Sequence, residues 1–216
     1  MGEEPISFDR FIIFHHPITM KTYISTNLVQ SIMAKEAFAH QAADSIITAA
    51  TWIQETFEDG GKLLIFGNGG SAADAQHMAA EFVNRFLINR RPLPALALTT
   101  DSSILTSIGN DFSYDQIFAK QVQALAKPED LALGISTSGN SANVIKGIEA
   151  ARERGLRTIG LTGGLTHPGG ELGEKCDIVL NVPSDSTPHI QEVHLWVEHL
   201  LCEMVEQSMF GTNPEA

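Results

Sequence analysis

Between Leu131 and Val144 the chain reads LALGISTSGNSANV, and four hydroxyls, Ser136, Thr137, Ser138 and Ser141, fall within six residues around Gly139. An apolar run leads into them and an amphipathic helix pattern leads out. A helix start presents free N–H groups and the positive end of a dipole, both of which attract phosphate, and short hydroxyl side chains add donors. The stretch lacks the Lys-Ser/Thr ending of a Walker loop, which disfavours a nucleoside triphosphate. A single phosphoryl group on a small metabolite suits it better.

A second junction of the same kind, Gly67-Asn68-Gly69-Gly70-Ser71, follows the apolar run Leu63–Phe66. Its glycines let a ligand approach the backbone, and Ser71 is placed to cap the helix that follows. Alone it reads equally well as an ordinary tight turn. Two such junctions in one sheet point to one ligand lying across adjacent strand ends. In the next helix His77 and Glu81 are four residues apart and share a face. Such a pair can hold a metal or act in proton transfer; the simpler alternative is a surface pair worth a few tenths of a kcal/mol. Glu81 lies about 15 Å along the helix from Ser71, a span suited to a ligand of several carbons rather than a triose.

The last helical segment, Thr187 to Phe210, carries Gln191, Glu192, His194, Glu198 and His199 among Val193, Trp196, Val197, Leu200, Leu201, Met204 and Val205. Buried polar groups are costly without partners, so these need partners or a task. His194 reads as a partly exposed helix residue; His15, His16 and His167 read as loop or extension residues. Asn110-Asp111, between Gly109 and Phe112, reads as a turn, or as an amide and carboxylate that recognise sugar hydroxyls.

These residues need a scaffold. Five short apolar runs, Lys62–Gly67, Pro94–Thr99, Leu131–Ser136, Arg157–Thr162 and Asp177–Val182, lack two-residue alternation and read as strands buried on both faces. Helical segments separate most of them, which predicts a parallel sheet in an α/β sandwich with its active loops at the carboxyl ends of the strands. A long helix is expected over about Thr22 to Glu58, packing through Leu28, Ile32, Ala34, Ala37, Ala42, Ile46, Ala50 and Ile53 and stopped by Gly60-Gly61. The apolar terminal helix is expected to pack inside an oligomer. Residues 1–19 fall outside the pattern and read as a disordered extension, with residues 20–216 as a single domain.

The chain has 216 residues, enough for one well-filled domain. Its 14 basic and 26 acidic side chains give a net charge of −12, with no basic run for nucleic acid. A negative body repels phosphorylated substrates at long range, so a phosphate site here must rely on local donors. No window approaches the roughly 18–20 apolar residues of a membrane helix, and Met1–Pro17 lacks the features of a secretory signal. Two cysteines, Cys176 and Cys202, form no framework and fit a reducing compartment, hence a cytoplasmic location.

Taken in order, Gly67–Ser71, Asp74, His77, Glu81, Gly109–Phe112, Gly134–Val144, Ile190-Gln191-Glu192 and His199 resemble the sugar isomerase (SIS) family, and within it the phosphoheptose isomerases. The resemblance runs from about Asn27 to Phe210. It implies a three-layer sandwich whose five-stranded parallel sheet is flanked by helices, with long N- and C-terminal helices and assembly as a homotetramer. By the same resemblance Ser136, Thr137, Ser138 and Ser141 bind the sugar phosphate; Asn68, Gly69, Gly70, Ser71, Asn110, Asp111 and Gln191 contact the sugar. Glu81 would be general base and His199 general acid, and His77, Glu81, Gln191 and His199 would hold one zinc ion per subunit. The implied reaction converts sedoheptulose 7-phosphate to D-glycero-D-manno-heptose 7-phosphate through an enediol, the first step of heptose supply for cell-surface glycans.

Two positions depart from the family pattern. Pro188 stands where some relatives carry an acidic residue, and His189 where many carry arginine, so fine substrate preference rests on neighbours such as Thr187. Gln191 and His199 are eight residues apart, about 12 Å along a straight helix, so reaching one metal requires converging side chains or an irregular first turn. The alternative is a non-catalytic SIS protein that binds a phosphosugar and a replication initiator or other protein partner. Retention of both Glu81 and His199 favours the enzyme. A sugar-phosphate-sensing transcription regulator would need a DNA-binding domain, for which the acidic chain has no spare segment.

Overall fold

Two-sided burial of the three central apolar runs decides the architecture, whereas Ala95–Ala97 at the sheet edge leaves Leu96 exposed and Ile178–Val182 alternates, against the expected burial on both faces. The computed structural model describes residues 19–211. Strands β1 (Leu63–Gly67), β2 (Ala95–Ala97), β3 (Leu131–Ser136), β4 (Arg157–Gly163) and β5 (Ile178–Val182) form one parallel sheet in the order β2-β1-β3-β4-β5. Successive side chains point to opposite faces. Leu63, Ile65, Leu131, Leu133, Ile135, Ile159 and Leu161 therefore join one core, and Leu64, Phe66 and Ala132 join the other.

Helices α1 (Met20–Glu58), α2 (Gly70–Val83) and α7 (Thr187–Phe210) cover the first face. Helices α4 (Ile117–Leu125), α5 (Ala142–Glu153) and α6 (Gly170–Lys175) cover the second, with α3 (Ser102–Asp111) beside them. A Cβ at Gly134 would stand 3.0 Å from Val144 Cγ1, so α5 lies close against β3 there. Strand order reverses between β1 and β3, where the chain leaves β1 toward β2 on one side and later returns to β3 on the other. Ligand crevices in open α/β sheets form at such switch points, beyond the carboxyl ends of the strands.

The five expected strands and both long helices are present, with bounds within about two residues of the sequence reading. Thr19 caps α1, its side chain accepting a hydrogen bond from the Thr22 N–H at 3.2 Å. Of the extension expected over residues 1–19, residues 1–18 lie outside the described residues, and Thr19 belongs to the fold as the cap of α1. The chain turns out of α1 through Gly60 at φ +81°, the left-handed conformation a glycine stop supplies.

Two packing expectations change. Ala34, Ala42, Ile46, Ala50 and Ile53 of α1 are buried as expected, but Leu28 and Ile32 are exposed together with Tyr23, Ile24, Val29 and Met33. The apolar terminal helix α7, in contrast, is largely covered by its own chain. Val193, Val197, Leu201 and Val205 are buried against the sheet and α1, and Trp196 meets Phe38 edge to face at 6.3 Å. The uncovered apolar face belongs to the start of α1. Among the described residues no helix is long and apolar enough to cross a membrane.

Candidate active site

Residues for the site come from three places: two strand-to-helix junctions at the switch point, and the seam between α2 and α7 on one face of the sheet. The first is the β1–α2 junction. Gly69 sits at φ +57° and N-caps α2 without a side-chain bond, so Ser71 is not the cap expected from the sequence; it is buried within the first turn. Asn68 and Asn143 exchange amide hydrogen bonds at 2.8 Å in each direction, and the Tyr114 hydroxyl donates to Asn68 Oδ1 at 3.3 Å. A Cβ at Gly70 would stand 2.3 Å from Gln191 Nε2, so only glycine lets the Gln191 amide lie across the start of α2.

The hydroxyl-rich loop after β3 is the second. Gly67 pairs with Ile135 in the parallel register, so Asn68 and Ser136 leave neighbouring strands side by side. Ser136 donates to Ser141 across the loop at 3.0 Å, and Ser138 Oγ accepts the Asn140 N–H at 3.2 Å. Gly139 at φ +66° closes the turn. Ser141 precedes α5 but makes no side-chain cap bond, so it spends no hydroxyl on the helix amides. Thr137 and Ser138 line a pocket of about 230 Å³ with Gly163, Asp185 and Thr187. A larger groove of about 810 Å³ adjoins it past Asn140 and His167, lined by Glu171, Glu174 and Asn181. Neither pocket includes Glu81 or His199 in its lining.

The third place is the seam where α2 packs alongside α7. His77 and His199 bring their Nε2 atoms to 2.7 Å, one donating and the other accepting, with ring centroids 4.9 Å apart. Glu81 Oε1 lies 3.7 Å from His77 Nε2. Phe86, just past the end of α2, stacks on the His199 ring at 5.5 Å and 26°. Gln191 meets α2 at Gly70, and His199 meets it at His77, two turns further along. The structure thus joins Glu81, His77 and His199, with Gln191 at the other end of the seam. Among the described residues no group of three or more His, Cys, Asp or Glu side chains forms a metal cage.

Buried polar groups surround this seam. His194, expected to be partly exposed, is fully buried, and its Nε2–H donates to the Thr162 carbonyl at 2.9 Å. Burial pushes its pKa down to about 4, the Thr162 bond opposing the shift, so the ring is neutral at ordinary pH. Glu198, beside His199, is fully buried with both carboxylate oxygens unpartnered. Burial, and then the Asp74 charge, push it well above the ordinary carboxylate range. Asp74 is itself raised by burial, with His77 opposing the shift. Asn110 and Asp111 close α3 and bond to each other at 2.8 Å; both are exposed and touch neither Glu81 nor His199 through a hydrogen bond.

Sequence reasoning did not single out Phe86, Asn143, Tyr114, Arg90 or Glu206. Asn143 stood within the quoted Gly134–Val144 motif and was the most findable. The others carry no local signal, because their partners are distant in sequence.

Crevice, hydroxyl loop and histidine seam are the parts of a phosphosugar-binding SIS domain, and a model of the SIS domain family matches residues 28–163. A phosphoheptose isomerase of Nitratidesulfovibrio vulgaris (strain DSM 19637 / Miyazaki F) is 53% identical over 176 residues, 82% of this chain and 83% of that one. One from Trichlorobacter lovleyi is 49% identical over 89% of this chain and 96% of its own. The solved phosphoheptose isomerase GmhA from Neisseria gonorrhoeae, 42% identical, superimposes with a TM-score of 0.82 and covers 88% of this chain and 100% of its own. The chain belongs to the phosphoheptose isomerase family of SIS domain proteins.

Proposed function

We propose that this protein is an aldose–ketose isomerase that converts sedoheptulose 7-phosphate to D-glycero-D-manno-heptose 7-phosphate, the entry step of heptose biosynthesis. The observation that carries the assignment of roles is the meeting of Glu81, His77 and His199 at one seam, in a chain whose relatives are phosphoheptose isomerases. The hydroxyls of Ser136, Thr137, Ser138 and Ser141 hold the phosphate, and the chain of the sugar runs past Asn68, Gly69 and Gly70 toward the seam. Asn110 and Asp111 serve the sugar hydroxyls from the exposed end of α3.

The chemistry is a proton shift between C1 and C2. Glu81 takes a proton from C1 of the ketose while His199 protonates the C2 carbonyl oxygen, which gives the cis-enediol. The C1 hydroxyl then returns its proton to His199 as Glu81 delivers a proton to C2, and the aldose forms with both groups restored. His77 Nε2, 2.7 Å from His199 Nε2, helps set which ring holds the shared proton.

Two imidazoles and one carboxylate are donors of the type zinc takes, so His77, Glu81 and His199 would hold the ion, with Gln191, expected as a fourth ligand, lying two turns away against Gly70. When bound, zinc would polarise the substrate carbonyl and stabilise developing negative charge on its oxygen. The assembly is a homotetramer, a reading supported by the exposed apolar face of Tyr23, Ile24, Leu28, Val29, Ile32 and Met33 on α1. Unpaired Cys176 and Cys202 agree with a cytoplasmic location.

Incubation with sedoheptulose 7-phosphate tests the reading directly. An aldose 7-phosphate should accumulate, and absence of conversion at high protein concentration would remove the assignment. Zinc is tested by chelation and add-back: turnover should fall and recover, whereas unchanged turnover after verified removal excludes a required ion.

A further inference from the structure

Arg90 and Glu206 are a buried pair that the reaction above does not use. Each side chain is 1% exposed, and Arg90 Nε lies 2.8 Å from Glu206 Oε1 without aiming its N–H at that oxygen. Taking two charges out of water is expensive, and a buried ion pair is weak evidence for stability in itself. What distinguishes this pair is where its other contacts land.

Arg90 donates to the Glu81 carbonyl at 2.9 Å and to the Phe82 carbonyl at 2.8 Å. Both lie in the last turn of α2, which ends at Val83. Carbonyls of a final turn have no helical partners, and such turns fray unless something holds them. The guanidinium thus fixes the turn that carries Glu81. Glu206 gathers three consecutive backbone N–H groups: Phe86 at 2.6 Å on Oε1, and Leu87 at 2.7 Å and Ile88 at 2.8 Å on Oε2. Burial alone would raise this carboxyl, but the three N–H bonds and the Arg90 charge hold it below its ordinary value. The segment so pinned begins with Phe86, whose ring stacks on His199. Glu206 follows His199 by seven residues, two helical turns, and so lies on the same face of α7.

We propose that Arg90 and Glu206 are positioning residues for the isomerisation: one buried pair sets the helix turn carrying Glu81 and, through Phe86, the orientation of the His199 ring. The proposal rests on the reading of Glu81 and His199 as base and acid. A single rigid link then fixes two groups that come from helices far apart in sequence. Misplacing reacting groups by an ångström costs rate while leaving phosphate anchoring intact.

The experiment compares Glu206→Gln, Arg90→Lys and Phe86→Leu with the wild type. In folded Glu206→Gln and Arg90→Lys, kcat with sedoheptulose 7-phosphate should fall roughly 10- to 100-fold while KM stays near the wild-type value. Phe86→Leu should lower kcat less. The double variant Glu206→Gln/Phe86→Leu should be no slower than Glu206→Gln, because both act through one ring. Independently of turnover, the His199 ring C–H signals in a ¹H–¹³C NMR spectrum should move in the same direction in Glu206→Gln and Phe86→Leu. This separates failure of the pair from failure of the substrate assignment. Unmoved His199 signals, wild-type kcat in a variant that only melts earlier, or losses that multiply in the double variant would each overturn the proposal. If Glu206→Gln does not fold, Phe86→Leu decides it, and wild-type kcat with unshifted His199 signals there is the overturning result.

Discussion

The loop after β3 and the seam between α2 and α7 are built by different means. The loop takes its donors from one short stretch, Ser136 to Ser141, shaped by Gly139 and by hydrogen bonds among its own residues, and it is steadied from α6, where Leu172 N–H donates to the Gly139 carbonyl and Glu171 N–H to Asn140 Oδ1. Its geometry follows from a strand ending and a helix beginning. The seam takes His77 and Glu81 from one helix and His199 from another 122 residues on, and sets them among buried groups with raised or lowered pKa. A phosphate anchor tolerates adaptable hydroxyls, since its ligand brings the charge. Proton transfer needs two groups at fixed distance, which only rigid, buried packing supplies.

If that contrast is right, damage at the seam should strike turnover and damage at the loop should strike binding. The largest effect is expected for Glu81→Gln: kcat should drop by about 10²- to 10⁴-fold with the fold and KM little changed, because the amide keeps the shape but cannot take a proton. Full activity in that variant would remove Glu81 from the role of base.

The seam should also carry a pH dependence of stability that the loop lacks. His194 has its folded-state pKa lowered from 6.5 to about 4. Between these values the unfolded chain binds the proton and the folded one does not, so stability falls as pH drops from 6.5 toward 4 and the loss levels off below that. The loss amounts to about 3 kcal/mol, and denaturant titrations of wild type and His194→Gln should differ in slope across that window alone. Parallel curves would show that His194 does not titrate in this way.

The smallest of the three effects belongs to the loop. Ser138→Ala removes one donor to a charged phosphate and should weaken substrate binding by roughly 1.5–3 kcal/mol, with kcat changed less. A loss confined to kcat would reverse the division of labour between the two regions.

Legibility in the sequence follows the same division. The hydroxyl loop, the glycine turn before α2 and the five strands were readable because each depends on neighbours in the chain: a run of apolar residues buried on both faces, a glycine that admits positive φ, a helix start rich in short hydroxyls. His77 and Glu81 were readable as a pair because helical periodicity puts residues four apart on one face. His194 was misjudged because its burial depends on α7 lying against β4, where the Thr162 carbonyl waits for it. The fate of the apolar surface was also decided by packing, since α7 found cover within the chain and the start of α1 did not.

By itself, then, the order of residues determined a parallel α/β sheet, a hydroxyl-rich loop at a helix start, and the family to which the chain belongs. Those features rest on backbone preference, periodicity and motif, all of which act locally. The tertiary structure alone decided that His199 meets His77 at hydrogen-bonding distance, that Phe86 stacks on it, and that Arg90 and Glu206 bind the backbone around Glu81 and Phe86. Contacts between helices more than a hundred residues apart are set by how the whole sheet is covered, and no local pattern encodes them.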